Sequence, residues 1–321
     1  MLFFWIFALF LSLAILVKSS DFFTEASEKI GLIFGISPFI IGVTIVAFGT
    51  SLPELITCLI SIFHNAEEIV VGNLIGSNIA NILLVIGITA IVAKKIEIHR
   101  DIINLDLPLL AAGTFALILM IGWDMEINRV ESFIALLFYF VYFYYLYKSR
   151  SDTVGETIEK KVEEMKEKIT PRKITMGLIF TLIFSAFFLY IGAEFTIKSV
   201  IALSKILGIE TSVIALSAIA IGTSLPELAV SIQAARKNNG DMALGNVFGS
   251  NLFNGSLIIG IAGIIKPLPV SNEIYYIALP FLFIATLLYF FSGLSRKIHN
   301  YEGAMFVGIY ILFIAKLFKL F

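Results

Sequence analysis

Gly49-Thr50-Ser51-Leu52-Pro53-Glu54-Leu55, GTSLPEL, interrupts a long apolar run, and the same seven letters return as Gly222-Thr223-Ser224-Leu225-Pro226-Glu227-Leu228. The offset between the two copies is 173 residues, from 49 to 222. A carboxylate inside an apolar span costs about 2.5–3.5 kcal/mol on insertion scales, and more when isolated. Two of them at equivalent positions of an internal repeat point to one shared task, and holding a cation is the task that suits them.

The surrounding composition says what kind of molecule this is. The 321 residues are 59% hydrophobic and 15% charged, with a mean hydropathy of +0.96. Runs of about 17–25 apolar residues at that composition mean an all-α polytopic membrane protein whose surroundings are a lipid bilayer. Alternation at period two, which porin strands require, is missing. A net charge of −1 gives no footing for a nucleic-acid partner. Cys58 is the one cysteine, which excludes an intrachain disulfide and a thiolate cluster. His64, His99 and His299 fall near predicted helix ends, so a zinc or haem site built from them is not expected, and no cofactor is. No serine–histidine or HExxH pattern accompanies the glutamates, and an enzyme is not the expectation. The opening run 2–17 lacks a basic leader and is followed by Lys18, so it is read as a first membrane helix and not as a signal peptide.

Ten spans are predicted, at 2–17, 37–63, 69–93, 102–122, 127–148, 174–197, 210–235, 241–265, 274–292 and 300–320. The polar stretch 149–173 divides the chain into a first five-helix half, 1–148, and a second, 174–321; the stretch itself reads as a solvated cytoplasmic linker. With the amino terminus outside, 17 of the 23 lysines and arginines fall on the inner side. The positive-inside rule therefore puts both termini outside the cytoplasm of a cell-membrane protein. An odd number of spans per half makes the two repeats insert with opposite topology, an arrangement that transporters use around a midplane site.

The repeat reaches well beyond seven residues. Gly72-Asn73 returns as Gly245-Asn246, Gly76-Ser77-Asn78 as Gly249-Ser250-Asn251, Asn81 as Asn254 and Gly87 as Gly260, all without a gap. Asp21 falls opposite Glu194. Two readings of GTSLPEL remain open at this point. Ser51-x-x-Glu54 is a capping box with Pro53 in the first turn, so the glutamate could simply cap a kinked helix. Alternatively, unwinding near Gly49 and Gly222 frees carbonyls toward a cavity, and polar side chains gather around them. Thr50, Ser51, Thr223 and Ser224 supply hydroxyls and Glu54 and Glu227 carboxylates. Ser77 and Ser250 supply hydroxyls and Asn81 and Asn254 amide oxygens, each Ser/Asn pair on one face of the following helix at i and i+4. Gly72, Gly76, Gly245 and Gly249 are spaced for close helix approach. This all-oxygen set suits hard cations such as Ca²⁺ and Na⁺. Two ionised glutamates are neutralised equally by one Ca²⁺, two Na⁺ or two protons, the minimum condition for exchange.

GTSLPEL with GNLIGSNIAN, and GTSLPEL with GNVFGSNLFN, resemble the α-repeats of the cation/Ca²⁺ exchanger superfamily, in its sodium/calcium exchanger branch. The short linker is similar to that of compact prokaryotic members. The resemblance implies two inverted five-helix repeats with broken helices at the ion site, and Na⁺/Ca²⁺ antiport by alternating access, electrogenic in sense. It implies ion-coordinating roles for Thr50, Ser51, Glu54, Ser77, Asn81, Thr223, Ser224, Glu227, Ser250 and Asn254, with the carbonyls of Ala47 and Ala220. It implies too that the first and sixth helices slide across the rest. Asparagine at both 81 and 254 resembles the K⁺-independent type, and Gly76 and Gly249 stand where proton-coupled relatives carry an acid. A Ca²⁺/H⁺ antiporter is the nearest rival reading and a cation channel a more distant one. Nothing in the sequence names a protein partner.

Overall fold

In lipid each backbone N–H and C=O has to be paired within its own segment, which for these apolar runs means helix. The computed structural model of the chain describes residues 1–33, 47–97, 106–150, 174–236 and 240–320. Its first half holds α1 (Leu2–Ile33), α2 (Ala47–Thr50), α3 (Leu52–Phe63), α4 (Glu67–Ala80), a π-helical turn at Asn81–Val85, α5 (Ile86–Ala93), α6 (Asp106–Asp124) and α7 (Arg129–Arg150). The second half begins with α8 (Met176–Leu207), α9 (Thr211–Ile214), a π turn at Ala215–Ile219, α10 (Ala220–Thr223) and α11 (Leu225–Arg236). It continues with α12 (Gly240–Leu252), a π turn at Phe253–Ile258, α13 (Ile259–Ile265), a π turn at Ile274–Ala278, α14 (Leu279–Leu294) and α15 (Asn300–Leu317). Among the described residues, seven helices are long and apolar enough to cross a membrane, and α9–α11, bent by 41°, makes an eighth. The predicted linker, from 151 on, and the first ten residues of the predicted span 37–63 lie outside the described residues.

The two outermost helices are longer than hydropathy predicts. The expected spans 2–17 and 174–197 become 32-residue helices, Leu2–Ile33 and Met176–Leu207. Hydropathy ends a span where charge begins, but helical hydrogen bonding continues through it. Lys18–Asp21 at i,i+3 and Glu25–Lys29 at i,i+4 pair along the polar end of α1. α1 and α8 pack on each other closely enough that a Cβ at Gly192 would lie 2.9 Å from the Leu16 nitrogen. Thr196 Oγ1 donates to Ser12 Oγ at 2.9 Å across the same seam. Their other faces expose Phe3, Phe7, Phe10, Phe180, Phe184 and Phe187, an apolar skin suited to acyl chains. α4–α5 and α12–α13 are the opposite case, with Val70, Val71, Leu74, Ile75, Val247, Ile258 and Ile259 all buried in one core.

Two short ribbons fix the directions of these central helices. β1 (Lys95–Glu97) pairs antiparallel with β4 (Lys297–His299), and β2 (Glu126–Ile127) with β3 (Leu268–Pro269), so each ribbon joins one half of the chain to the other. β3 precedes the Ile274–Leu294 rod and β4 follows it, which puts the ribbons at its opposite ends. α4–α5 runs to β1 and α12–α13 to β3. The two central rods therefore run in opposite senses.

Candidate ion-binding site

The repeated motif breaks its helix at one residue. α2 ends at Thr50 and α3 starts at Leu52, leaving Ser51 at φ −94°, ψ 9°. α10 ends at Thr223 and α11 starts at Leu225, leaving Ser224 at φ −83°, ψ 4°. The wider unwinding expected near Gly49 and Gly222 is not found, since both glycines stay helical. The Ser224 N–H still donates to the Ala220 carbonyl at 3.1 Å and the Leu228 N–H to Ser224 O at 3.1 Å, so the ladder spans the step. Proline has no N–H to offer the preceding turn, and a single-residue step is enough to accommodate it. Gly49 is needed where it stands, because a Cβ there would fall 2.1 Å from Thr24 Oγ1 of α1.

The capping box does not form. Ser51 makes no side-chain capping hydrogen bond, and neither Ser51 Oγ nor either Glu54 oxygen has a hydrogen-bond partner. Glu54 and Glu227 are both fully buried. The hydroxyls of Ser77 and Thr223 face the Glu54 carboxylate, and Ser77 Oγ and Thr223 Oγ1 stand 3.3 Å apart. In the mirrored arrangement Ser250, Thr50 and Ser51 face the Glu227 carboxylate, with Ser250 Oγ donating to Glu227 Oε1 at 3.1 Å. Each glutamate is thus met by a serine of its own half and by a threonine of the other half, at positions that exchange under the 173-residue offset. Glu227 Oε2, Ser224 Oγ, Asn81 Oδ1 and Asn254 Oδ1 are likewise buried without a partner. No lysine, arginine or histidine pairs with either glutamate among the described residues.

Asn81 opens the first π turn, the second ends at Ile219, just before Ala220, and Asn254 lies in the third. A π turn inserts one residue into the helix and turns side chains off the regular face, a device common at functional sites. Of the expected glycine seam, Gly72 and Gly76 pack directly on Ser212, Ala215, Leu216 and Ala220. That close approach seats α4 against the broken helix. Ala47 opens α2; Ala220 opens α10, where its carbonyl accepts from the Ser224 N–H at 3.1 Å and lies 3.5 Å from Thr223 Oγ1.

Four asparagines went unassigned in the sequence. Asn73 Oδ1 accepts from Thr223 Oγ1 at 3.4 Å and its Nδ2 approaches Cys58 Sγ at 3.9 Å. Asn246 Nδ2 donates to Glu227 O at 3.2 Å and to Ser231 Oγ at 3.1 Å, and Ser231 is the repeat counterpart of Cys58. Asn78 and Asn251 bond to each other's backbone, as detailed below. Their signal was their presence in both GNxxGSN copies, which marks them as important without saying for what.

A family profile described as "Sodium/calcium exchanger protein" matches residues 4–148 and 177–319. The chain belongs to that family. The sodium/calcium exchanger MaX1 of Methanosarcina acetivorans is 32% identical over 342 aligned positions, covering 97% of each chain. A membrane protein of Methanocaldococcus jannaschii is 33% identical over 96% of each. Structures of the sodium-calcium exchanger NCX_Mj, soaked with Na⁺ and Ca²⁺, superpose with a TM-score of 0.65 at 31% identity and cover 99% of both chains. The H⁺/Ca²⁺ exchanger CAX shares the fold, with a TM-score of 0.73 at 19% identity, over 98% of this chain and 82% of that one. In this sodium/calcium exchanger family member the profile spans both GTSLPEL copies and stops short of the linker on either side.

Proposed function

We propose that this chain is an antiporter that binds Ca²⁺ and Na⁺ in competition at the Glu54/Glu227 site and uses the Na⁺ gradient to move Ca²⁺. One observation carries the reading: two fully buried carboxylates with three of their four oxygens unpartnered, set among neutral oxygens and unpaired with any basic side chain of the described residues. Burying unpaired charge is so costly that a counter-charge has to be supplied from outside the chain. One Ca²⁺ or two Na⁺ supply it. Thr50, Ser51, Ser77, Asn81, Thr223, Ser224, Ser250 and Asn254, with the Ala47 and Ala220 carbonyls, offer more oxygens than the six to eight of one Ca²⁺ shell. The surplus provides flanking Na⁺ positions, and more than two Na⁺ per Ca²⁺ makes the cycle electrogenic. Neutral amides at 81 and 254 hold the site at two charges, which leaves no call for K⁺.

The opposite senses of α4–α5 and α12–α13 support ten spans arranged as two inverted repeats, and the distribution of basic residues supports extracytoplasmic termini in the cell membrane. Alternating access then falls to α1 and α8, which pack on each other in a hydrophobic cluster apart from the main core. A cavity of about 450 Å³ lined by Val17, Lys18, Asp21, Thr24, Gly49, Thr50 and Pro226 reaches Thr50 of the site from the polar end of α1. That is the inner side. At the outer end of the core, His64 Nε2 lies 2.9 Å from Glu194 Oε2, tying α8 to the end of α3, and Lys198 Nζ, one turn along α8, lies 3.0 Å from Glu194 Oε1. Open inside and latched outside is the inward-facing arrangement.

The deciding experiment loads proteoliposomes with Na⁺ and follows radiolabelled Ca²⁺ uptake on dilution into Na⁺-free buffer. Uptake that ignores the Na⁺ gradient sinks the proposal. Uptake driven by a pH gradient without Na⁺ favours the proton-coupled alternative.

A further inference from the structure

We infer that Asn78 and Asn251 are positioning residues that set the polarity of the cation site, each forcing the coordinating amide of the opposite repeat to present its oxygen to the cation. The inference rests on the exchange reading above and adds to it a device outside the ligand set.

Asn78 Nδ2 donates to the Asn251 backbone carbonyl at 3.1 Å, and Asn251 Nδ2 donates to the Asn78 backbone carbonyl at 3.2 Å. A carbonyl only accepts, so the end of each side-chain amide that faces it has to be NH₂. The opposite end is then oxygen. Asn78 Oδ1 accepts from Asn254 Nδ2 at 3.2 Å, and Asn251 Oδ1 accepts from Asn81 Nδ2 at 3.0 Å. An oxygen acceptor in turn fixes which end of Asn254 and Asn81 faces it. Their own oxygens are left over, and both Asn81 Oδ1 and Asn254 Oδ1 are buried without a partner. Two backbone carbonyls thus dictate, through two relays each one amide long, which atom the site receives.

The relay matters because the site pulls the other way. Asn81 and Asn254 each follow by one turn a serine that faces a buried carboxylate, and a free amide there would turn NH₂ toward that charge to form a charge-assisted hydrogen bond. That rotamer places a donor where a cation has to bind. Asn78 and Asn251 are almost fully buried. Holding an oxygen outward against a buried carboxylate needs an anchor that cannot itself rotate, and a helix backbone carbonyl is one. Each anchor lies in the other repeat, so the two halves have to be docked before either amide is set.

Aspartate has oxygen at both ends, so it needs no such orientation. Replacing Asn254 by aspartate should therefore make Asn78 dispensable for Ca²⁺ binding, and a double-mutant cycle reads this directly. Ca²⁺ dissociation constants would be measured by calorimetry on purified, detergent-solubilised full-length protein. Asn78→Ala is expected to weaken Ca²⁺ binding about tenfold in the native background and by less than about twofold beside Asn254→Asp. The mirrored pair, Asn251→Ala with Asn81→Asp, reads the same coupling through the other relay and decides the matter if one variant does not fold. An equal loss in both backgrounds overturns the orientation role. So does unfolding of both alanine variants, which would make the two asparagines packing staples. Failure of the native protein to bind Ca²⁺ at all would instead reject the exchange reading, so the two failures are told apart.

Discussion

Glu227→Gln tests the charge of the site while changing its shape least. The substitution is isosteric, keeps one carbonyl oxygen for Ser250 to meet, and removes one of the two buried negative charges. A divalent ion about 3 Å from that charge loses ~2.8 kcal/mol even with the full screening of bulk water, and several times more in a buried site. The floor on the effect is therefore about a hundredfold in Ca²⁺ affinity. Ligand-induced stabilisation gives a sensitive readout. At a Ca²⁺ concentration of about 100 times the native dissociation constant, binding adds ~2.7 kcal/mol to stability, and a hundredfold weaker site adds only ~0.4 kcal/mol. The two outcomes separate cleanly in a thermal shift assay with and without Ca²⁺. Without any cation the sign should reverse, because the variant carries one uncompensated buried charge where the native protein carries two: Glu227→Gln should then melt higher than the native protein. The same pattern is expected for Glu54→Gln. A Ca²⁺-dependent shift that survives both substitutions would refute the reasoning, as would destabilisation of the cation-free protein by both.

Other consequences follow from separate parts of the structure. Gly76→Ala drives a Cβ to 2.7 Å from the Leu216 carbonyl and 2.8 Å from Ala220 Cβ, and should cost about 1–3 kcal/mol, whereas Gly308→Ala meets nothing within 4 Å and should be neutral or stabilising; chemical denaturation of the two variants compares them. Glu194→Gln loosens the tie to His64 and Lys198, and an ion pair of this partly buried kind is worth about 1 kcal/mol. The outward-open fraction should rise about fivefold, seen as faster labelling by an impermeant thiol reagent of a cysteine placed at Ser212 in a Cys58→Ser background. Glu210, between α8 and α9, has its carboxyl pushed above the ordinary carboxylate range by burial and by Glu273 beside it. The folded protein holds that proton more tightly than the unfolded one, so this group favours the fold at acid pH and that support is lost as pH rises through the raised pKa. Glu210→Gln should flatten the decline in thermal stability as pH rises above the ordinary carboxylate range. At fixed Ca²⁺, added Na⁺ should displace Ca²⁺ while added K⁺ should not; displacement by K⁺ would contradict the neutral-amide argument.

The proposed site could be read from the sequence because the duplication writes its residues twice. Glu54 and Glu227 stood out as charges where charge is expensive, and the ungapped offset carried the reading to Ser77, Asn81, Ser250 and Asn254. Helix ends were less legible, since hydropathy marks where lipid contact stops and the hydrogen-bond ladder of α1 runs on for sixteen residues past the predicted limit of 17. The one-residue steps at Ser51 and Ser224 and the π turns at Asn81 and Asn254 were hidden as well. A one-residue step or a one-residue insertion leaves the apolar runs on either side unchanged, so neither residue type nor spacing marks it.

By itself the sequence pointed to hard cations, offered two carboxylates to hold them, and determined a helical membrane protein built from a duplicated unit. Residue type and spacing are enough for that, because the cost of buried charge and the period of a repeat are both local properties. Which way each amide points was decided only by tertiary structure. An asparagine side chain offers a donor and an acceptor with nearly equal shape, and nothing local prefers one. The choice at Asn81 and Asn254 is made by backbone carbonyls 173 positions from the asparagines that read them, across the junction of the two halves.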